Sequence, residues 1–249
     1  MILNILFVIL GLSFIIGIHE ASHMIVSKLF GVKVLKFSLG FGPVLFSKKI
    51  GETQYQLALL PLGGYIQCAG ESPEDNTKGD FFFEPWWKRS LIALAGPVAN
   101  LILGFVMILC LFILFNSWPI LQGLGQAYKI SSFVTTETSK AIGGMVAQTV
   151  STSNLSGPIM VTKILATSIN VGVSQFLFIL AIISLSLGLF NLFPFPALDG
   201  GMVALCLVEG IRRKRFSQKV YLLWNYVGFA LLISLMLFTC FLDIGKLIK

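Results

Sequence analysis

The sequence predicts an all-α polytopic membrane protein, with about four transmembrane helices and a small membrane-associated β-sheet or hairpin after the first. Three observations carry this. The 249 residues are 56% hydrophobic and 12% charged, with a mean hydropathy of +0.88, whereas water-soluble domains run at about 45–50% and about 25%. Four charge-free windows, 1–18, 90–115, 164–198 and 220–242, come close to or exceed the roughly 20 residues that cross a hydrocarbon core of about 30 Å as a helix. Between the first two windows the pattern changes to short alternating runs set off by Gly and Pro, as in Val34-Leu35-Lys36-Phe37-Ser38-Leu39 and Thr53-Gln54-Tyr55-Gln56-Leu57, which is strand and turn chemistry. A water-soluble globule is excluded. One membrane domain over residues 1–249 is expected.

The elements follow in order. The first segment, 1–26, has no basic residue before its apolar run and no A-x-A site after it, so it is read as a retained helix and not a cleaved signal peptide. The β element covers 32–67, and the polar stretch 71–79, with Pro73, Asp75 and Asn76, reads as a loop. Trp86-Trp87-Lys88-Arg89 has the composition of an anchor at headgroup level ahead of the second segment, 90–115. In that segment Ala95-Gly96-Pro97 permits close helix approach. Residues 116–163, rich in Ser, Thr and Gly, are expected to form a short extracytoplasmic linker, with the Gly- and Thr-rich part 141–159 at the bilayer surface. The third segment, 164–210, contains Pro194 and Pro196, which cannot both continue a helix, and the fourth covers 220–242. Cys68, Cys110, Cys206 and Cys240 show no C-x-x-C spacing and read as small core hydrophobes.

The net charge of +7 does not point to nucleic acid, because the basic residues are not gathered into one aromatic-laced patch. They sort by loop. Lys28, Lys33, Lys36, Lys48, Lys49, Lys78, Lys88 and Arg89 lie between the first and second segments, and Arg212, Arg213, Lys214, Arg215 and Lys219 between the third and fourth. The opposite side holds only Lys129, Lys140, Lys163, Lys246 and Lys249. The positive-inside rule then places both termini outside and the two basic loops in the cytoplasm.

Both histidines of the chain fall in His19-Glu20-Ala21-Ser22-His23, an H-E-x-x-H pattern at the end of the first window. Positions i and i+4 share a helix face, so the two imidazoles can reach one zinc while Glu20 beside them stays free to act on water. Two imidazoles and a carboxylate in a membrane segment cost several kcal/mol unless paired or ligated. A catalytic zinc takes three protein ligands, and no histidine remains. Asp199, Glu209, Asp243 and the cysteines are the candidates, and Asp199 stands out because it follows the break at Pro194 and Pro196. Broken backbone at membrane depth lines a cavity or is buried in protein, with Asn191 on one side and Asp199 on the other. Transport of a metal ion through a broken helix remains an alternative at this stage, as does an inactive scaffold of the same fold.

H-E-x-x-H at the end of a first membrane segment, with N-x-x-P-x-P-x-L-D-G-G over Asn191–Gly201, resembles the site-2 protease family of intramembrane zinc metalloproteases. Phe37–Pro43, Leu60–Tyr65, Ala95–Asn100 and Asn154–Ile159 are similar to its bacterial members of the regulator-of-sigma-E type, which cleave anti-sigma factors. The resemblance implies zinc ligands at His19, His23 and Asp199, a catalytic glutamate at Glu20, and a substrate-contacting asparagine at Asn191. It implies a β-sheet that accepts substrate as an added strand, membrane proteins with a single transmembrane segment as partners within the lipid bilayer, and a bacterial inner-membrane location with the active site toward the cytoplasm. One departure is clear: relatives carry PDZ domains between the second and third segments, where residues 116–163 are too few and too polar for such a core.

Overall fold

Helix α1 covers Ile2–Leu29, and its stop is written in the residues that follow. Gly31 takes φ 79°, which only glycine adopts without penalty. Gly31 N–H then donates to the Lys28 carbonyl (3.0 Å) and Val32 N–H to the Ser27 carbonyl (2.9 Å), the paired bonds of a Schellman stop. The computed structural model describes residues 2–71, 77–147 and 157–248. Strands β1 (Val34–Ile50) and β2 (Thr53–Cys68) come next, then α2 (Trp86–Cys110), which runs on as a π-helical turn, Leu111–Phe115. Helices α3 (Ile120–Val146), α4 (Pro158–Val171), α5 (Val173–Leu192), α6 (Asp199–Arg212) and α7 (Gln218–Ile248) complete the chain. Among the described residues, four helical spans are long and apolar enough to cross a membrane: Leu3–Leu29, Trp86–Phe115, Val173–Leu192 and Gln218–Ile248. The chain is thus an α-helical polytopic membrane protein with a small sheet after its first helix, as the sequence predicts.

Three local expectations change. The third segment is interrupted twice, since Gly172 (φ 151°) already separates α4 from α5, and the break at Pro194 and Pro196 then separates α5 from α6. Residues 116–163 hold a 27-residue helix, α3, whose polar composition hid its regularity; positions 148–156 of the expected interfacial part lie outside the described residues, as do 72–76 of the polar stretch. Arg89, expected in an interfacial anchor, is only 1% exposed, for a reason given below.

The chain divides into two compact units. The first comprises residues 1–8, 101–190 and 229–249 and is cored by Ile108 of α2, Ala127 and Val134 of α3, and Ala181 and Leu185 of α5. Here the Asp243 carboxylate accepts hydrogen bonds from the Gly157 and Met160 amides (both 2.9 Å), satisfying orphan donors at the start of α4. The second unit, residues 9–100 and 191–228, carries the sheet and two apolar clusters, one around Val32, Val34, Cys68 and Ile92 and one around Phe82, Leu205 and Tyr221. Between α2 and α6 of this unit the Arg89 guanidinium pairs with Glu209, which also accepts from the Tyr221 hydroxyl (3.0 Å) and the Phe216 amide (2.7 Å). A buried charge needs such partners, which is why Arg89 leaves the surface.

In the sheet, β1 is used twice. Residues Lys36 and Leu39 stand opposite Gln54 and Leu57 on one side and Gln67 and Gly64 on the other, while Val44–Ile50 pairs back onto Ala58–Thr53. The outer edges among the described residues are therefore Val44–Ile50 and Gly64–Cys68. Phe41, Val44, Leu45 and Phe46 are all exposed, the outward apolar surface expected where the surroundings are lipid.

Candidate metal centre

His19 and His23 point from one face of α1 with their Nε2 atoms 3.2 Å apart. The Asp199 Oδ2, in the first turn of α6, lies 3.0 Å from His19 Nε2 and 3.4 Å from His23 Nε2. All three belong to the second unit, and their candidate ligand atoms lie within 4.8 Å of one another. Both imidazoles are buried, at 7% and 6% exposure. Each is turned by its other nitrogen. His23 Nδ1 donates to the Ile92 carbonyl at 2.7 Å, which leaves Nε2 as a lone pair. His19 Nδ1 lies 3.2 Å from Asn100 Nδ2; with that amide turned over, its oxygen accepts from Nδ1–H and leaves Nε2 free to ligate.

Two imidazole lone pairs and a carboxylate oxygen facing one point repel one another unless a cation sits among them. Ligands bound to zinc at about 2.0–2.1 Å in tetrahedral geometry stand about 3.3 Å apart, and the three separations here are 3.0, 3.2 and 3.4 Å. The residues fit the metal. Gly96 of α2 supplies the room: a Cβ there would stand 2.6 Å from His19 Nε2 and closer still to His23 Nε2.

The backbone that delivers Asp199 is just as constrained. After α5 the chain turns through Phe193–Leu198, with Ala197 at φ 66° and Leu198 N–H donating to the Phe195 carbonyl (3.2 Å). A Cβ on Gly200 would collide with the Leu192 and Phe193 carbonyls, and one on Gly201 with that of Phe195. The D-G-G sequence thus lets α6 begin directly under the break, and an acidic residue in its first turn is favoured by the helix dipole.

The other candidate ligands are engaged elsewhere: Glu209 with Arg89, Asp243 with the start of α4. All four cysteines are free, and burial pushes the Cys68 thiol up to about 11, the condition of an inert thiol. Glu20 is half-buried beside the two histidines and does not belong to the three converging groups. Gly64 of β2 lies against it, a Cβ there standing 3.0 Å from Glu20 Cγ. Asn191 sits in the last turn of α5 and is likewise not one of the three. Gly96, which the sequence suggests only as packing, and Asn100, to which it assigns no role of its own, both serve the site. Their signal was an amide in a charge-free window, four residues after a glycine and on the same helix face.

A family model for peptidase family M50 matches residues 7–235. The chain belongs to that family. This M50 member is therefore a metallopeptidase, and the metal-transport alternative falls. It is similar to "Putative zinc metalloprotease CPE1693" of Clostridium perfringens, at 25% identity over 96% of this chain and 98% of that one. It is also similar to "Putative zinc metalloprotease Cj1068" of Campylobacter jejuni, at 27% over 96% and 93%. A "Regulator of sigma E protease" of Haemophilus influenzae is 37% identical over 52% of this chain and 29% of its own length. The C. perfringens alignment spans 328 positions, so the relative fills tens of positions that this 249-residue chain lacks.

Asn100→Leu is expected to lower zinc affinity about 10–100-fold, the usual cost of losing a group that orients a ligating histidine. Competition with a graded set of chelators measures it, and an unchanged affinity would show that Asn100 does not set the ring of His19.

Proposed function

We propose that this M50 member is a zinc-dependent intramembrane endopeptidase that hydrolyses peptide bonds in the transmembrane segments of other membrane proteins. The convergence of His19, His23 and Asp199 next to Glu20 carries the reading. These three residues would hold the zinc. When bound, it supplies Lewis-acid polarisation of a carbonyl and a lowered pKa for water. Glu20 takes the proton of the attacking water on its carboxylate and passes it to the departing amide nitrogen, so that one water and one peptide bond become a carboxylic acid and an amine. Asn191, at the head of the break, holds the substrate backbone or the developing oxyanion.

A helical substrate hides its scissile carbonyl in its own hydrogen bonds. The outer edge of the sheet at Gly64–Cys68, with Gly64 against Glu20, suits a strand added by the substrate, which keeps that carbonyl exposed. Single-pass anti-sigma factors and leftover signal peptides are the substrate classes this favours, cut in a regulated step that releases a cytoplasmic domain. Purified protein incubated with a model transmembrane substrate is expected to cleave it, to stop with a zinc chelator, and to resume when zinc is restored. Cleavage that persists with the metal removed would overturn the reading.

The charge distribution supports a bacterial inner-membrane orientation with both termini outside and the active site toward the cytoplasm. Reporter fusions after residue 249 and near Asp75 are expected to report external and cytoplasmic positions respectively. The reverse pattern would place the centre at the other face.

A further inference from the structure

Where α6 ends and α2 begins, the second unit holds a cavity of about 310 Å³ lined by Trp86, Glu209, Gly210, Arg213, Lys214 and Arg215 among others. The lining carboxylate is already neutralised: Glu209 is taken up by Arg89, Tyr221 and the Phe216 amide. Arg213, Lys214 and Arg215 form no ion pair among the described residues, so their charges are uncompensated. Arg215 donates to the Phe83 carbonyl (3.2 Å), which tethers its guanidinium. Arg213 adopts φ 52° and ψ 26°, the left-handed stop that helices ordinarily give to glycine. An arginine held there costs energy that a glycine would spare, which points to a use for its side chain.

The apolar neighbours indicate what that use is. Leu207, Val208 and Ile211 on the same last turns of α6 are exposed, Ile211 at 84%, and Trp86 is 39% exposed. A cationic cavity thus opens beside a surface suited to acyl chains, at a tryptophan placed as interfacial tryptophans are. We propose that this cavity binds the phosphate headgroup of a phospholipid of net negative charge, with its chains along Leu207 and Ile211. Net anionic lipids are selected because the wall carries surplus positive charge and no free carboxylate.

The full chain in a neutral detergent is titrated with short-chain phosphatidylglycerol, with phosphatidylcholine of the same chain length and with inorganic phosphate, counting bound molecules by native mass spectrometry. One saturable phosphatidylglycerol is expected, held about tenfold more tightly than phosphatidylcholine. The combined Arg213→Gly, Lys214→Gln and Arg215→Gln variant is expected to lose about tenfold or more of that affinity. Lys48→Gln with Lys49→Gln, which removes two positive charges from β1, is expected to keep it. Arg213→Gly alone suits the backbone it replaces, so its weaker binding would stand even if the combined variant failed to fold. Equal binding of the two lipids, or equal loss in the β1 variant, would overturn the proposal. Inorganic phosphate bound as tightly as the lipid would replace it with a site for a free anion.

Discussion

Gly96→Ala is expected to empty the metal centre while leaving the chain folded. The added methyl would stand 2.6 Å from His19 Nε2 and closer to His23 Nε2, in the space those lone pairs face, so the rings must turn away or the metal must leave. Helix α2 itself gains, since alanine is a better helix former than glycine by about 1 kcal/mol. Zinc affinity should therefore fall more than about a hundredfold, beyond what loss of an orienting group costs, with little change in thermal unfolding of the metal-free protein. Gly125→Ala in α3, where nothing lies within 4 Å of the new Cβ, is the matched control and should keep its metal. Metal content by elemental mass spectrometry together with thermal unfolding checks both, and a Gly96→Ala protein with full zinc would mean that the imidazoles do not face a common ion.

Glu20→Gln separates chemistry from binding. The amide keeps the shape of the side chain but cannot accept the proton of water, and a positioned general base is worth about 10²–10⁴-fold in rate. Cleavage should fall by at least that range with zinc still near one per chain, because Glu20 is outside the converging group of His19, His23 and Asp199. Loss of the metal along with the activity would make Glu20 a ligand and undo its assignment as base.

What could be read from the sequence was whatever depends on residues close together in the chain. His19 and His23 are one helical turn apart, and membrane helices satisfy their own backbone, so charge-free length alone announces them. Pro194 and Pro196 marked the break because proline cannot donate the helical bond. The convergence of Asp199 with the histidines spans 180 residues; the break before it and the family resemblance singled it out in the sequence, whereas the glycines that make the room, Gly96, Gly200 and Gly201, show their part only in the fold. Arg89 misled because its partner Glu209 is 120 residues away; near a membrane end, an arginine reads by default as an interfacial anchor. Helix α3 escaped because Ser, Thr and Gly are poor helix formers. Among its hydroxyls, Thr136 and Ser139 bond the carbonyls of Ser132 and Thr135 four residues back (both 2.8 Å), an arrangement that composition does not disclose.

In the proposed site, two imidazoles and one carboxylate hold a catalytic zinc. X-ray absorption at the zinc edge of the purified protein tests it most directly. Two nitrogen scatterers at about 2.0–2.1 Å with imidazole outer shells, oxygen at about 2.0–2.2 Å, and no sulfur are the result predicted for His19, His23 and Asp199. A sulfur shell near 2.3 Å would instead make a cysteine the ligand, and would contradict the account.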